Sequence, residues 1–108
     1  MALTPFPTSG NLSRVVCTGF ATPIQLSGQT CKSVIISAKR VIAGLSGGAS
    51  SNNSDILLIG VGAAPSGVTA YTGIPLAPGE TIEFNVADAS MVYIAGAVGD
   101  VANICVLN

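Results

Sequence analysis

Short apolar runs alternate with turn-forming residues along most of the chain. In residues 81–86 the apolar side chains of Ile82, Phe84 and Val86 alternate with polar ones, which predicts an antiparallel strand with one buried face. Residues 56–59 are apolar at every position, which predicts a strand covered on both faces. Runs rich in Val, Ile, Leu and Thr predict strands at residues 15–19, 24–26, 32–38, 40–44, 56–61, 68–71, 81–86, 91–95 and 101–107.

The predicted fold class is all-β. No stretch of the chain repeats its apolar residues with the period of a helix, and Glu, Lys, Arg and Gln together number only eight, too few to cover helix surfaces. Residues 77–80 place Pro78 and Gly79 at the two central positions of a type II turn. About eight short strands at this spacing predict one antiparallel β-sandwich or jelly roll.

The first 13 residues differ from the rest of the chain. Pro5 and Pro7 fix the backbone and exclude a helix or a central strand, so we predict an extended N-terminal arm over residues 1–13 and one domain over residues 14–108. Apolar groups on such an arm need a neighbouring surface to cover them. They form the candidate interface, which consists of Leu3, Pro5, Phe6, Pro7 and Leu12.

Targeting signals are not evident in the chain. The first residues carry no basic group and no long apolar run, so we expect no secretion signal and assembly in the cytoplasm. The uncharged stretch 56–78 is interrupted by glycines and prolines, which argues against a membrane-spanning segment and a membrane partner.

Candidate catalytic chemistry is sparse. The chain has no His, so it lacks the usual general base and the commonest metal ligand. Residues 44–48 match the Gly-x-Ser-x-Gly pattern of a nucleophilic serine, but neither a His nor a predicted helix accompanies them. Cys17, Cys31 and Cys105 lack the spacing of a zinc site and are predicted to be small buried hydrophobes. We therefore predict no catalytic residue, no cofactor and no metal, and hence not an enzyme.

Few residues of the chain are charged. Four basic and five acidic residues make up 8% of the 108 positions, against about 25% in an ordinary soluble domain. The scattered basic residues form no phosphate-binding stripe, so no nucleic-acid partner is expected. The surface is either coated with Ser, Thr, Asn and Gly or covered by other proteins. The apolar strands and the arm favour the second interpretation, a homo-oligomer docked on a larger assembly.

An L-x-P-G-E turn precedes an alternating strand in the second half of the chain, and a Y-I strand follows; the stretches concerned are residues 56–62, 73–80, 91–96 and 101–107. In this pattern the chain resembles small structural proteins of tailed bacteriophages. The resemblance implies a jelly-roll or β-sandwich capsid decoration protein, also called a cement protein, on the capsid surface of the virion. It implies two partners, the major capsid protein and copies of the chain itself as a dimer or trimer. No functional residue is carried over, because such proteins act through surfaces.

A function of a different class remains open. The chain is then a fibre, neck or tail module that binds a receptor or a carbohydrate, with the loops 44–53 and 96–100 forming the site. Tyr71 and Tyr93 are the aromatic side chains available to stack on a sugar ring, although packing in the core or between subunits is the alternative role for both.

Overall fold

The computed structural model of the chain describes residues 10–39, 53, 55–66 and 72–108. These residues confirm the all-β prediction. They form a 3₁₀ turn at Ala89–Met91 and eight strands: β1 (Gly10–Val16), β2 (Ile24–Gln25), β3 (Ser33–Ala38), β4 (Leu57–Val61), β5 (Ile74–Leu76), β6 (Thr81–Phe84), β7 (Val92–Ala95) and β8 (Val101–Leu107).

The strands form a sandwich of two four-stranded antiparallel sheets. Sheet A has the order β1-β8-β3-β6, and sheet B has the order β2-β7-β4-β5. Strands from opposite ends of the chain pair with each other: β1 with β8, β2 with β7, β3 with β6, and β4 with β5. The ladders between β3 and β8 and between β4 and β7 then complete the two sheets.

The hydrophobic core lies between the two sheets. Val34 and Ile36 of β3 contribute from sheet A, and Val92 and Ile94 of β7 contribute from sheet B; all four are completely buried. These residues occupy alternate positions because successive side chains of a strand point to opposite faces. Each fully buried side chain of this size stabilises the fold by about 1.5–3 kcal/mol.

The predicted turn and the predicted alternation of β6 are both confirmed. Gly79 has a φ of 89°, and the Glu80 N–H donates to the Ala77 carbonyl at 2.9 Å, as a type II turn requires. In the following strand Thr81 and Glu83 are exposed, whereas the two apolar residues between and after them are half-buried against the core.

Strand β4 is covered on both faces, as its apolar sequence predicts. Leu57 and Ile59 belong to the core, and Leu58 on the opposite face is only 2% exposed. After the strand, the backbone folds back on Gly60. A Cβ at that position would contact the Ala63 carbonyl oxygen and would lie 2.8 Å from the Pro65 Cδ, so the close approach requires glycine.

The N-terminal boundary differs from the predicted one. β1 begins at Gly10 and pairs with β8 along its whole length, so residues 10–13 belong to the sheet and not to an arm. Asn11 and Ser13 have low intrinsic preference for strands, and here pairing with β8 outweighs that preference. Residues 1–9 lie outside the described residues.

Other strand predictions also differ in part. The predicted strand at 15–19 ends at Val16. β5 was not among the predicted strands, and the structure accommodates its Pro75 at an edge of sheet B. The predicted strands at 40–44 and 68–71 lie outside the described residues.

A buried polar contact anchors the start of β8. The Asn53 side chain donates from Nδ2 to the Val101 carbonyl at 2.9 Å and accepts at Oδ1 from the Val101 N–H at 2.8 Å. Asp100, only 5% exposed, accepts a hydrogen bond from the Asp55 N–H at 3.1 Å. Asn53, the last residue of the predicted loop 44–53, is therefore buried and held by hydrogen bonds to β8.

Candidate interaction surface

Strand β1 is an exposed edge of sheet A. All seven of its residues are exposed except Val15, which is half-buried. Leu12 is 84% exposed and Val16 is 47% exposed. An edge strand leaves backbone N–H and C=O groups without ladder partners, and β1 contains neither Pro nor Lys to block the addition of another chain.

An apolar row crosses the outer face of sheet A. It consists of Leu12 on β1, Cys105 on β8 and Ile35 on β3, which are direct cross-strand partners. Cys105 and Ile35 are partly exposed, and a shallow depression of about 270 Å³ lies over the row. Side chains of directly paired residues lie about 5 Å apart, so the three form one continuous apolar stripe.

Opposite charges lie at the two edges of this outer face. Among the outward positions of the four strands, the charged side chains are Arg14 on β1 and Glu83 on β6. Three interstrand spacings separate them, about 14 Å, which is too far for an ion pair within one chain. A polar row that includes Ser37 and Thr81, whose hydroxyl groups are 2.9 Å apart, runs beside the apolar row.

A groove of about 420 Å³ lies between β1 of sheet A and β2 of sheet B. Its floor includes the buried side chains of Leu26, Ile104 and Val106. At its rim, the Asn11 amide donates to the Gln29 side-chain oxygen at 3.0 Å. An apolar floor with uncharged amides at Asn11 and Gln29 is suited to a small polar ligand, and Arg14 of β1 also lines the groove.

Asp88 braces one end of this groove. Its Oδ1 accepts hydrogen bonds from the Ser90 N–H at 2.9 Å and from the Gln29 N–H at 3.1 Å. The carboxylate thereby caps the 3₁₀ turn that leads into β7. Hydrogen bonds from Ser90, and to a lesser extent from Gln29, hold the pKa of Asp88 below its ordinary value.

This lowered pKa makes the stability contributed by Asp88 dependent on pH. The contribution is complete above the ordinary pKa of an aspartate and is lost as the pH falls through the lower pKa of the folded state. We expect Asp88→Ala to lower the urea midpoint at about pH 6, and the difference from wild type to shrink at about pH 2. Asp88→Asn keeps an acceptor oxygen and should be less destabilised at about pH 6. If the urea midpoints of Asp88→Ala and wild type differ by the same amount at both pH values, this role of the Asp88 carboxylate is contradicted.

The three cysteines differ in accessibility. Cys17 and Cys31 are 1% and 8% exposed, as predicted for small hydrophobes. Burial, with a smaller contribution from the Asp100 carboxylate, raises the pKa of Cys17 to about 11, and burial also raises the pKa of Cys31. Both thiols therefore stay protonated and unreactive at neutral pH. Cys105 is only half-buried, on the outer face of sheet A, where the prediction of a buried residue is wrong.

The structure places one of the predicted interface residues. Leu12 lies on the exposed edge strand and points outward, beside Cys105. Ile35 and Cys105 were not among the predicted interface residues, since only the ladders through β8 bring them into one row with Leu12. The consecutive apolar residues at 34–36 were the available signal that β3 has apolar side chains on both faces. The other candidate interface residues lie outside the described residues: Leu3, Pro5, Phe6 and Pro7.

The predicted ligand-binding loops are described only in part. Residues 44–52 and Tyr71 lie outside the described residues. In the loop after β7, Val98 is 79% exposed. Tyr93 is partly buried and lies on the face of β7 opposite the fully buried Val92 and Ile94, as the alternation predicts.

Within the described ranges, no three side chains of the His, Cys, Asp or Glu type come close enough together to hold a metal ion. The same part of the chain contains no helix of the length and apolar character needed to cross a membrane. Comparison of the chain with protein-family models, with curated proteins and with solved structures found no match.

Proposed function

We propose that the chain is a non-enzymatic structural protein of a tailed-phage virion, of the capsid decoration type. It associates with copies of itself and binds the major capsid protein, and thereby stabilises the shell. Its interface combines residues 1–9 with the exposed edge of sheet A.

The observation that carries this proposal is the exposure of β1. Leu12 is 84% exposed on an edge strand whose outer backbone groups face away from the sheet. Residues 1–9 connect directly to Gly10 and include the apolar Leu3 and Phe6. A neighbouring subunit that covers this edge gains apolar burial at about 25 cal/mol per Å², and many copies acting together on one shell multiply a modest contact.

The strand order supports a jelly-roll fold as part of the proposal. Pairing of β1 with β8, β2 with β7, β3 with β6 and β4 with β5 is the pattern of one long antiparallel hairpin rolled up into two sheets. Jelly rolls of eight strands are common among viral capsid domains.

The test is binding of the full chain to empty capsids built from the major capsid protein of the same phage. We expect the wild-type chain to co-sediment with these capsids and the variant Leu3→Ser/Phe6→Ser to bind much more weakly, because the variant loses apolar groups from the interface. Val98→Ser is the control: it removes an apolar side chain that is 79% exposed, in a loop outside this interface.

If the wild-type chain binds the capsids and Leu3→Ser/Phe6→Ser binds them equally well, the proposed role of residues 1–9 is contradicted. Absence of wild-type binding to capsids would contradict the capsid function as a whole. Circular dichroism of each variant verifies that the fold is preserved.

A second candidate function is supported by the groove between β1 and β2. A fibre, neck or tail module would use its neutral amide rim, which includes Asn11 and Gln29, to bind a carbohydrate or another uncharged ligand. Saturable binding on a glycan array that Gln29→Ala abolishes, without binding to capsids, would establish this function instead.

A further inference from the structure

The geometry points to the outer face of sheet A as the surface through which two copies of this chain pack. The inference rests on the self-association in the proposed function and names its surface. The two faces stack about a two-fold axis that runs parallel to the strands, between β8 and β3. β1 of each copy then lies over β6 of the other, and β8 lies over β3.

The apolar row supplies the centre of this contact. Cys105 of one copy faces Ile35 of the second copy, and Leu12 lies over Glu83, which follows Ile35 in the same cross-strand row. In stacked sheets, side chains from the two facing surfaces interdigitate across about 10 Å. The arrangement covers the strongly exposed Leu12 and the two partly exposed residues next to it.

The charges determine the orientation. Arg14 and Glu83 lie at opposite edges of the same face, in adjacent cross-strand rows. With β1 over β6, each Arg14 side chain reaches Glu83 of the second copy, so two symmetric ion pairs form. A two-fold axis perpendicular to the strands would instead place β6 of one copy over β6 of the other. The two Glu83 carboxylates would then come together, which is unfavourable.

The contact is small. Four strands of this length have a face of about 400 Å² per copy, and the open part is smaller because Ser33 and Val101 on this face are already buried within the chain. This is below the area of about 800 Å² per partner in a standard stable interface. We therefore expect a weak dimer that forms at high protein concentration, and that is reinforced when many copies are held on one assembly.

The test uses the full chain and charge reversal. In sedimentation velocity at increasing concentration, Arg14→Glu and Glu83→Arg should each raise the dimer dissociation constant by about tenfold or more, because each places like charges at both symmetric pairs. The double variant Arg14→Glu/Glu83→Arg should restore the wild-type constant. Restoration requires the two positions to meet between copies, since they are too far apart to interact within one chain.

Two further variants test the apolar row. Leu12→Ser should weaken the dimer, whereas Val98→Ser, which alters an exposed apolar side chain outside sheet A, should leave it unchanged. The axis also passes beside Cys105, so a short bismaleimide should join two chains through this thiol, since Cys17 and Cys31 are buried. Cys105→Ser should abolish the crosslink.

The outcomes separate this inference from the proposed function. A dimer that neither charge reversal affects, or an assembly of three chains, overturns the face-to-face pairing and leaves self-association intact. A chain that stays monomeric at all concentrations overturns both the pairing and the self-association.

Discussion

Gly60→Ala is expected to lower the free energy of unfolding by about 3 kcal/mol. The added Cβ would contact the Ala63 carbonyl oxygen and lie 2.8 Å from the Pro65 Cδ and 3.0 Å from the Pro65 N. These atoms belong to backbone or to a proline ring, so they cannot move aside by a rotamer change. Gly60 also lies in β4, a central strand of sheet B that is buried on both faces, so displacement would disturb the ladders on both sides.

Gly28→Ala is the matched control for this prediction. A Cβ at position 28 would have its nearest contact at 3.9 Å, with the Asp88 Oδ1, and this is ordinary packing. We expect its stability to stay within about 0.5 kcal/mol of wild type or to rise, because alanine restricts the unfolded chain. Urea unfolding of both variants provides the measurement. Equal midpoints for Gly60→Ala and wild type would show that the backbone after β4 does not fold back on this strand.

Asn53→Ala is expected to lower the free energy of unfolding by about 2 kcal/mol. The substitution removes two hydrogen bonds, at 2.9 and 2.8 Å, and leaves the buried Val101 N–H without its acceptor. The Val101 carbonyl keeps a hydrogen bond from the Lys39 N–H at 3.1 Å, which limits the loss. An unpaired buried donor is more costly than the net gain of an average hydrogen bond.

Asn103→Ala is the control for the loss of an asparagine amide. Asn103 is exposed on the outer face of β8, two residues after Val101, so we expect a change within about 0.5 kcal/mol. Thermal or urea unfolding distinguishes the two variants. A similarly small effect for Asn53→Ala would mean that water replaces its amide and that the start of β8 is not buried as described.

Local patterns were sufficient for part of the fold. The alternation in β6 predicted which side chains face the core, and the Pro78-Gly79 pair predicted the type II turn. β8 was predicted with its observed bounds, because its apolar residues, interrupted only by Asn103, directly follow turn residues. Each of these features depends on side chains close together in the sequence.

The candidate surface was predictable only at Leu12. Its neighbours in the apolar row, Cys105 and Ile35, lie 93 and 23 positions away along the chain and meet it only through the order of strands in sheet A. The same strand order places Arg14 and Glu83 at opposite edges of one face. No local pattern specifies which strands become neighbours, and register is decided by burial of one face over the whole sheet.

Local sequence patterns were enough to predict the all-β class, the type II turn and the burial of β4 on both faces, because side-chain period and turn chemistry act over a few residues. Contacts between distant segments were needed to show that residues 10–13 form an edge strand, that Asn53 is buried, and that an apolar row crosses sheet A. These depend on pairing between the first and last strands. In such pairing, backbone hydrogen bonds and shared burial outweigh the weak strand preference of Gly, Asn and Ser.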